Sequence, residues 1–238
     1  MLSTRHATPG PRLFQVRENT VLRRQRLDSF AIVNDAKDAP VHRPTHVLYL
    51  HGFRSSPHSF KARMLAVWLA EHRPDVTWWC PQLPPSPREA IALAEAGTAQ
   101  WPRDTRAVLG SSLGGFYATV LAERWGCPAV VMNPAVDPAR DLAGYVGEVE
   151  AFHDPSQRYE FHARYIDELR AMTPGPITRP ERYYALIAKG DELLDWHEMS
   201  ARYPGAAGEL LEGSDHGLSD FENHLPAILR FLRFLRLP

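Results

Sequence analysis

From residue 45 onward, short apolar runs alternate with longer stretches in which apolar side chains recur every three or four positions. The short runs are "THVLYL" (45–50), "DVTWWC" (75–80), "TRAVLG" (105–110), "AVVMN" (129–133), "RYYALIAKG" (182–190) and "GELLEG" (208–213). Their length and their β-branched and aromatic content predict strands. Between them, "SFKARMLAVWLAEH" (59–72), "REAIALAEAGTAQ" (88–100) and "FYATVLAERWG" (116–126) have helical spacing. In the first of these, Phe60, Met64, Val67 and Trp68 fall on one face. Ser56 before Pro57 predicts its start, with the serine as N-cap and the proline at the first helical position. Gly126 ends the third. Further on, "RYEFHARYIDELRAM" (158–172) predicts one helix, a second lies near "DWHEMSARY" (195–203), and "LPAILRFLRFL" closes the chain.

Strands alternating with helices predict an α/β fold with a mostly parallel sheet covered on both faces. Ligands in such folds sit beyond the carboxyl ends of the strands. The expected organisation is one α/β domain over residues 45–238, with a polar and aromatic insertion at about 137–180 acting as a small lid. Residues 1–44 read as an N-terminal extension containing Pro9, Pro11, Pro40 and Pro44, with "FAIVN" (30–34) as its one possible strand. The basic "RRQR" (23–26) reads as a solvated edge rather than a binding patch.

Composition narrows the function. The 238 residues suffice for one domain with a full core. A formal net charge of -1 gives no global basic field, so neither nucleic acid nor a membrane surface is an expected partner. No apolar run approaches the roughly 18 residues of a spanning helix. The first thirty residues contain no apolar core of a secretory signal. Cys80 and Cys127 belong to no paired motif, which fits a reducing cytoplasm and argues against a disulfide scaffold or a zinc cluster.

The glycine-rich "GSSLGG" (110–115) lies between a predicted strand and a predicted helix. No Lys follows its glycines, which excludes a P-loop, and the spacing does not fit a dinucleotide fingerprint. It does fit G-x-S-x-G, read as Gly110-Ser111-Ser112-Leu113-Gly114. A strand turning sharply into a helix holds its central residue, here Ser112, in a strained conformation with the side chain raised above the sheet. The flanking positions must be small because strand and helix pass close together there. Alone the pattern is weak, since a serine nucleophile also needs a base and an orienting acid.

In this arrangement the acid and the histidine follow in the order Ser, Asp, His. "RYYALIAKG" delivers Asp191, and "GELLEG" delivers His216 in "SDHG". Asp195 and Asp137 are alternatives for the acid, Asp195 being also a natural N-cap for the following helix. The chain has eleven histidines, so position decides among them. His197 lacks the second histidine of a zinc-protease motif. His153, His162 and His224 read as surface or lid residues. His51, in "HGF", reads as a structural pin for its loop rather than a base. Two backbone N–H donors are required for an oxyanion, and Leu113 and Phe53 are placed to supply them, with Gly52 allowing the close approach.

Together these residues resemble the α/β-hydrolase superfamily and, more narrowly, the YqiA/YcfP-type group of small bacterial esterases. The matching stretches are "LYLHGFRSSPHSFKA" (48–62), "GSSLGGFYAT" (110–119), "MNPAV" (132–136), "KGDELLD" (189–195) and "GSDHGLSDFENHLPAI" (213–228). The resemblance implies a Ser-Asp-His hydrolase of carboxylic esters, with Ser112 as nucleophile, Asp191 as acid and His216 as base. No metal or cofactor is expected, and the expected partner is a small-molecule acyl ester. Phe161, Tyr165, Leu169 and Met172 share helical spacing, a stripe that fits buried packing better than substrate contact. The lid lacks the broad apolar surface of a lipase, which favours short or soluble acyl chains. Two features depart from the group's pattern: more than forty residues precede "YLHGF", and "SDHG" replaces the more usual "GDH" with an aromatic-containing run. The same triad would also serve an acyltransferase or thioesterase, and a hydrolase fold can serve as a non-catalytic binding protein.

Overall fold

The computed structural model describes residues 43–152, 154 and 156–235. The "RRQR" and "FAIVN" stretches and His153 lie outside the described residues. Six parallel strands form the main sheet: β1 (His46–Leu50), β2 (Thr77–Trp79), β3 (Arg106–Ser111), β4 (Ala129–Met132), β7 (Tyr183–Ala188) and β8 (Ala207–Leu211). Their order is β2-β1-β3-β4-β7-β8, and every pairing is parallel. Each short apolar run of the sequence is therefore a strand.

Strands buried on both faces must be apolar at consecutive positions. Alternate residues then feed two separate cores. Leu48, Leu50, Val108, Val131, Ala185 and Ile187 face one core with α2 (Pro87–Gly97) and α3 (Leu113–Trp125). Val47, Tyr49, Leu109, Val130, Met132 and Leu186 face the other with α1 (Phe60–His72) and α7 (Phe221–Phe231).

Helix boundaries follow local chemistry, with one shift. Ser86 caps α2 by accepting the Glu89 N–H at 3.3 Å, and Pro87 opens it. Gly126 ends α3 in the left-handed region at φ 69°. Helix α1 begins at Phe60 rather than Pro57. Ser56 instead closes a turn, its hydroxyl accepting from the His58 N–H at 3.2 Å. The buried face of α1 also differs from the stripe marked in the sequence. Lys61, Ala62, Leu65 and Leu69 point inward, Met64 and Trp68 lie at the margin, and Phe60 and Val67 are exposed.

The segment between β4 and β7 holds α4 (Pro138–Asp141), β5 (Gly147–Glu150), β6 (Arg158–Phe161) and α5 (Ala163–Met172). The single helix expected over 158–172 is thus a strand followed by a helix. Strand β6 pairs antiparallel with β5, Gly147 facing Phe161 and Glu150 facing Arg158. Cross-strand pairing outweighs the helical spacing at 158–161, and His162, extended at φ -76° and ψ 146°, separates the two elements. Phe161, Tyr165 and Leu169 are buried in the first core, so that stripe is packing. Helix α6 (Trp196–Arg202) precedes β8 and is capped by Asp195, whose carboxylate accepts the His197 N–H at 2.8 Å.

Candidate active site

Strand β1 has β2 on one side and β3 on the other, so the chain's direction of travel across the sheet reverses there. A crevice opens at such a switch point beyond the carboxyl ends of the strands. His51, Gly52 and Phe53 follow β1 into this crevice, and Ser112 follows β3.

Ser112 has φ 55° and ψ -123°, a positive φ that a side-chain-bearing residue adopts only when its surroundings impose it. Those surroundings are visible. The Ser112 N–H donates to the Met132 carbonyl at 3.0 Å, and its own carbonyl accepts from Gly115 at 2.9 Å and Ala135 at 3.1 Å. A Cβ at Gly110 would stand 2.0 Å from the Gly114 carbonyl oxygen, and one at Gly114 would stand 2.0 Å from that of Leu50. The two flanking glycines are therefore required by close backbone approach.

The three residues assigned from sequence order are brought into contact. His216 Nε2 lies 3.0 Å from Ser112 Oγ, and His216 Nδ1 lies 2.7 Å from Asp191 Oδ2. The Asp191 side chain is wholly buried, and its other oxygen accepts the N–H groups of Leu193 and Leu194, each at 2.8 Å. The alternatives lie elsewhere. Asp195 caps α6, and Asp137 caps α4 by accepting from the Arg140 N–H at 3.2 Å.

His51 is 4 % exposed and points away from this chain of bonds. Its Nε2 accepts the Leu83 N–H at 3.0 Å, so the proton sits on Nδ1, which donates to the Gly52 carbonyl at 3.0 Å. That is a loop pin. Gly52 comes close enough that a Cβ there would stand 3.2 Å from Ser112 Cβ. The Phe53 ring is wedged edge-on against Tyr145 and Phe161 of the insertion. Leu113 is the first residue of α3, where an N–H has no partner within the helix. His197 pairs with Asp195, and His162 with Glu160. His224 is not a lid residue: it sits on α7, bridging Glu209 and Asp220.

Two residues without a role in the sequence reading hold the histidine loop. Asn133, fully buried with φ 40°, donates to the carbonyls of Asp215 at 3.0 Å and His216 at 3.2 Å. Its side-chain oxygen accepts the Ala188 N–H at 2.8 Å, tying the loop to the end of β7. The buried Lys61 donates through Nζ to the Gly217 carbonyl. The sequence signal for Asn133 was its place at a strand's carboxyl end before a proline. Lys61, among the apolar positions of a helix, carried none.

A cavity of about 680 Å³ opens in front of Ser112 and His216, bounded also by Tyr49, Lys61, Leu142 and Phe152. A second, of about 760 Å³, lies against Leu83, Leu113, Tyr117 and Tyr159. Residues 52–55 border both. Among the described residues no helix is long and apolar enough to cross a membrane.

The parallel sheet, the strained serine between β3 and α3, and the histidine loop after the last strand define the α/β-hydrolase fold. The mouse α/β-hydrolase domain-containing protein 10 superimposes with a TM-score of 0.59 at 14% identity, covering 79% of this chain and 90% of its own. A structure of the metagenome-derived lipolytic enzymes LipS and LipT gives 0.59 at 21% identity over 79% and 93%. The esterase domain of a Rhodothermus marinus protein gives 0.56 at 18% identity over 81% and 90%. Within this fold the chain belongs to the uncharacterised protein family UPF0227, whose family model matches residues 46–233, the YqiA-like group that the sequence resembles.

Proposed function

We propose that the protein is a serine hydrolase of small carboxylic esters, with Ser112, His216 and Asp191 as its catalytic residues. One observation carries the reading: an unbroken hydrogen-bond chain from Ser112 Oγ through the imidazole to a buried carboxylate, built on a positive-φ turn. Esterases and lipolytic enzymes among the structures of the same fold agree with it.

An ionised Asp191 can only accept, so it keeps the proton of His216 on Nδ1 and leaves Nε2 free to accept from Ser112. Ser112 Oγ bonds to the ester carbonyl carbon as its proton passes to Nε2. The negative charge moves to the carbonyl oxygen, where the N–H groups of Leu113 and Phe53 receive it. Collapse breaks the bond to the alcohol oxygen, which departs with the proton held by His216. Water then attacks the acyl-enzyme, His216 takes its proton and returns it to Ser112 Oγ, and the carboxylic acid leaves. Tyr145, Phe152 and Leu193 give the cavity an exposed apolar rim suited to a short hydrocarbon portion.

The test is steady-state hydrolysis of p-nitrophenyl esters of graded acyl length. Ser112→Ala is expected to lower kcat by about 10⁴-fold or more and to abolish labelling by a fluorophosphonate. Turnover persisting in the purified variant would overturn the reading.

A further inference from the structure

Helix α1 has two apolar faces, and the fold covers only one of them. Ala62, Leu65 and Leu69 point into the core, while Phe60, Met64, Val67 and Trp68 follow one another along the outer side. Phe60 is 44 % exposed and Val67 55 %, although an apolar side chain gains by leaving water. With Leu225 of α7 these residues line an open groove of about 460 Å³. A contiguous apolar stripe rimmed by polar residues marks an interaction surface.

The charges on the groove indicate what fits it. Among its described lining residues only Arg63 and Glu71 are charged, and both are exposed. Neither side chain makes an ion pair or a hydrogen bond among the described residues. Each stands four positions from Val67, one on either side along the helix. Four positions of an α-helix span about 6 Å. A two-fold axis through Val67 and perpendicular to α1 lays a second copy of the helix antiparallel to the first. Val67 then meets its own counterpart, and Arg63 of each copy comes level with Glu71 of the other. A parallel arrangement would set like charge against like. Such self-complementarity is what a two-fold interface between identical chains demands.

We propose that this face binds a second copy of the chain, α1 against α1 in antiparallel two-fold contact. The apolar stripe supplies the attraction, and the two Arg63–Glu71 pairs set direction and register. The 13 residues of α1 give a short contact, at the low end of specific interfaces, so the dimer is expected to dissociate in the micromolar range. The groove shares no lining residue with the cavity that holds Ser112, so pairing leaves that cavity open in both copies. The pairing is independent of the hydrolase reading above.

The experiment is sedimentation equilibrium of the full chain from low to high micromolar concentration. The wild type is expected to pass from monomer to dimer. Arg63→Glu places like charges together at both contacts and should weaken association about tenfold, as should Glu71→Arg. The double variant carrying Arg63→Glu and Glu71→Arg restores both pairs with their signs exchanged and should recover wild-type affinity. Val67→Lys sets two ammonium groups on the axis and should leave a monomer. All three positions are exposed, so the variants should keep the wild-type fold, which circular dichroism checks. A wild type that stays monomeric throughout would overturn the proposal and leave the groove to another occupant, such as residues 1–42 of the same chain. A dimer unaffected by Val67→Lys, or a double variant no tighter than the single ones, would overturn it as well.

Discussion

Lys61 occupies a helix position whose neighbours Ala62 and Leu65 are core residues, and it is 8 % exposed. An amine buried this way resists protonation, and its pKa falls from 10.5 to about 8. In the unfolded chain it titrates near its ordinary value. Between these two values the unfolded state therefore binds the extra proton and the folded state does not, so stability rises with pH across that window. Lys61→Met removes this linkage. Relative to the variant, the wild type is expected to gain on the order of 3 kcal/mol between pH 8 and 10.5, read by urea unfolding at several pH values. A difference independent of pH would show that Lys61 is hydrated in the folded protein. At this scale the sequence was legible where residue type and spacing share one cause. Ser112 is marked by glycines that the backbone crossing demands, while Asp191 and His216 are marked by following late strands. Lys61 and Asn133 were not legible, because their partners are carbonyls 156 and 82 to 83 residues away.

Elements were readable in proportion to how locally they are determined. The buried parallel strands announce themselves as continuous apolar runs. The β5–β6 hairpin does not, because "RYEF" alternates in a way that also satisfies helical spacing, and only pairing with 147–150 decides between them. The inward face of α1 was likewise open. Two apolar stripes compete along the helix, and the bond from Lys61 to the histidine loop goes with the less conspicuous one. That loop is itself an element made by distant contacts. Ser214 at φ 67° and Leu218 at φ 53° bracket His216, and Asn133 clamps the carbonyls between them. Asn133→Asp keeps the acceptor that holds the Ala188 N–H but turns a second oxygen toward those two carbonyls. In the proposed mechanism the imidazole is displaced, and kcat for a neutral ester is expected to fall about 100-fold with KM little changed. Fluorophosphonate labelling of Ser112 should slow in parallel. Normal labelling would mean that Asn133 contributes only to folding.

Across the whole molecule, the sheet and the insertion meet at the loop after β1, which in the proposed mechanism supplies an oxyanion donor. Arg54, one residue beyond Phe53, donates through Nε to the Glu150 carbonyl and accepts the Phe152 N–H at 2.8 Å through its own carbonyl. Its guanidinium lies 4.2 Å from the Phe152 ring centre, and its backbone takes φ 60°. The other end of the insertion is anchored on α2, where Glu168 of α5 accepts the Ser86 hydroxyl at 2.6 Å. The hairpin therefore has one attachment beside the proposed site and one remote from it. Arg54→Ala removes the side-chain bond and the ring contact at the near attachment while leaving the far one intact. Amide hydrogen exchange is expected to rise over 147–150 and 158–161 and to stay unchanged in β1, β3 and β4, whose amides are protected by the sheet itself. With the Phe53 amide, the proposed oxyanion donor, less firmly placed, kcat should fall about tenfold. Faster exchange with full activity would show that the edge contacts of Phe53 with Tyr145 and Phe161 hold that amide without Arg54. Unchanged exchange would show that those aromatic contacts also secure the hairpin.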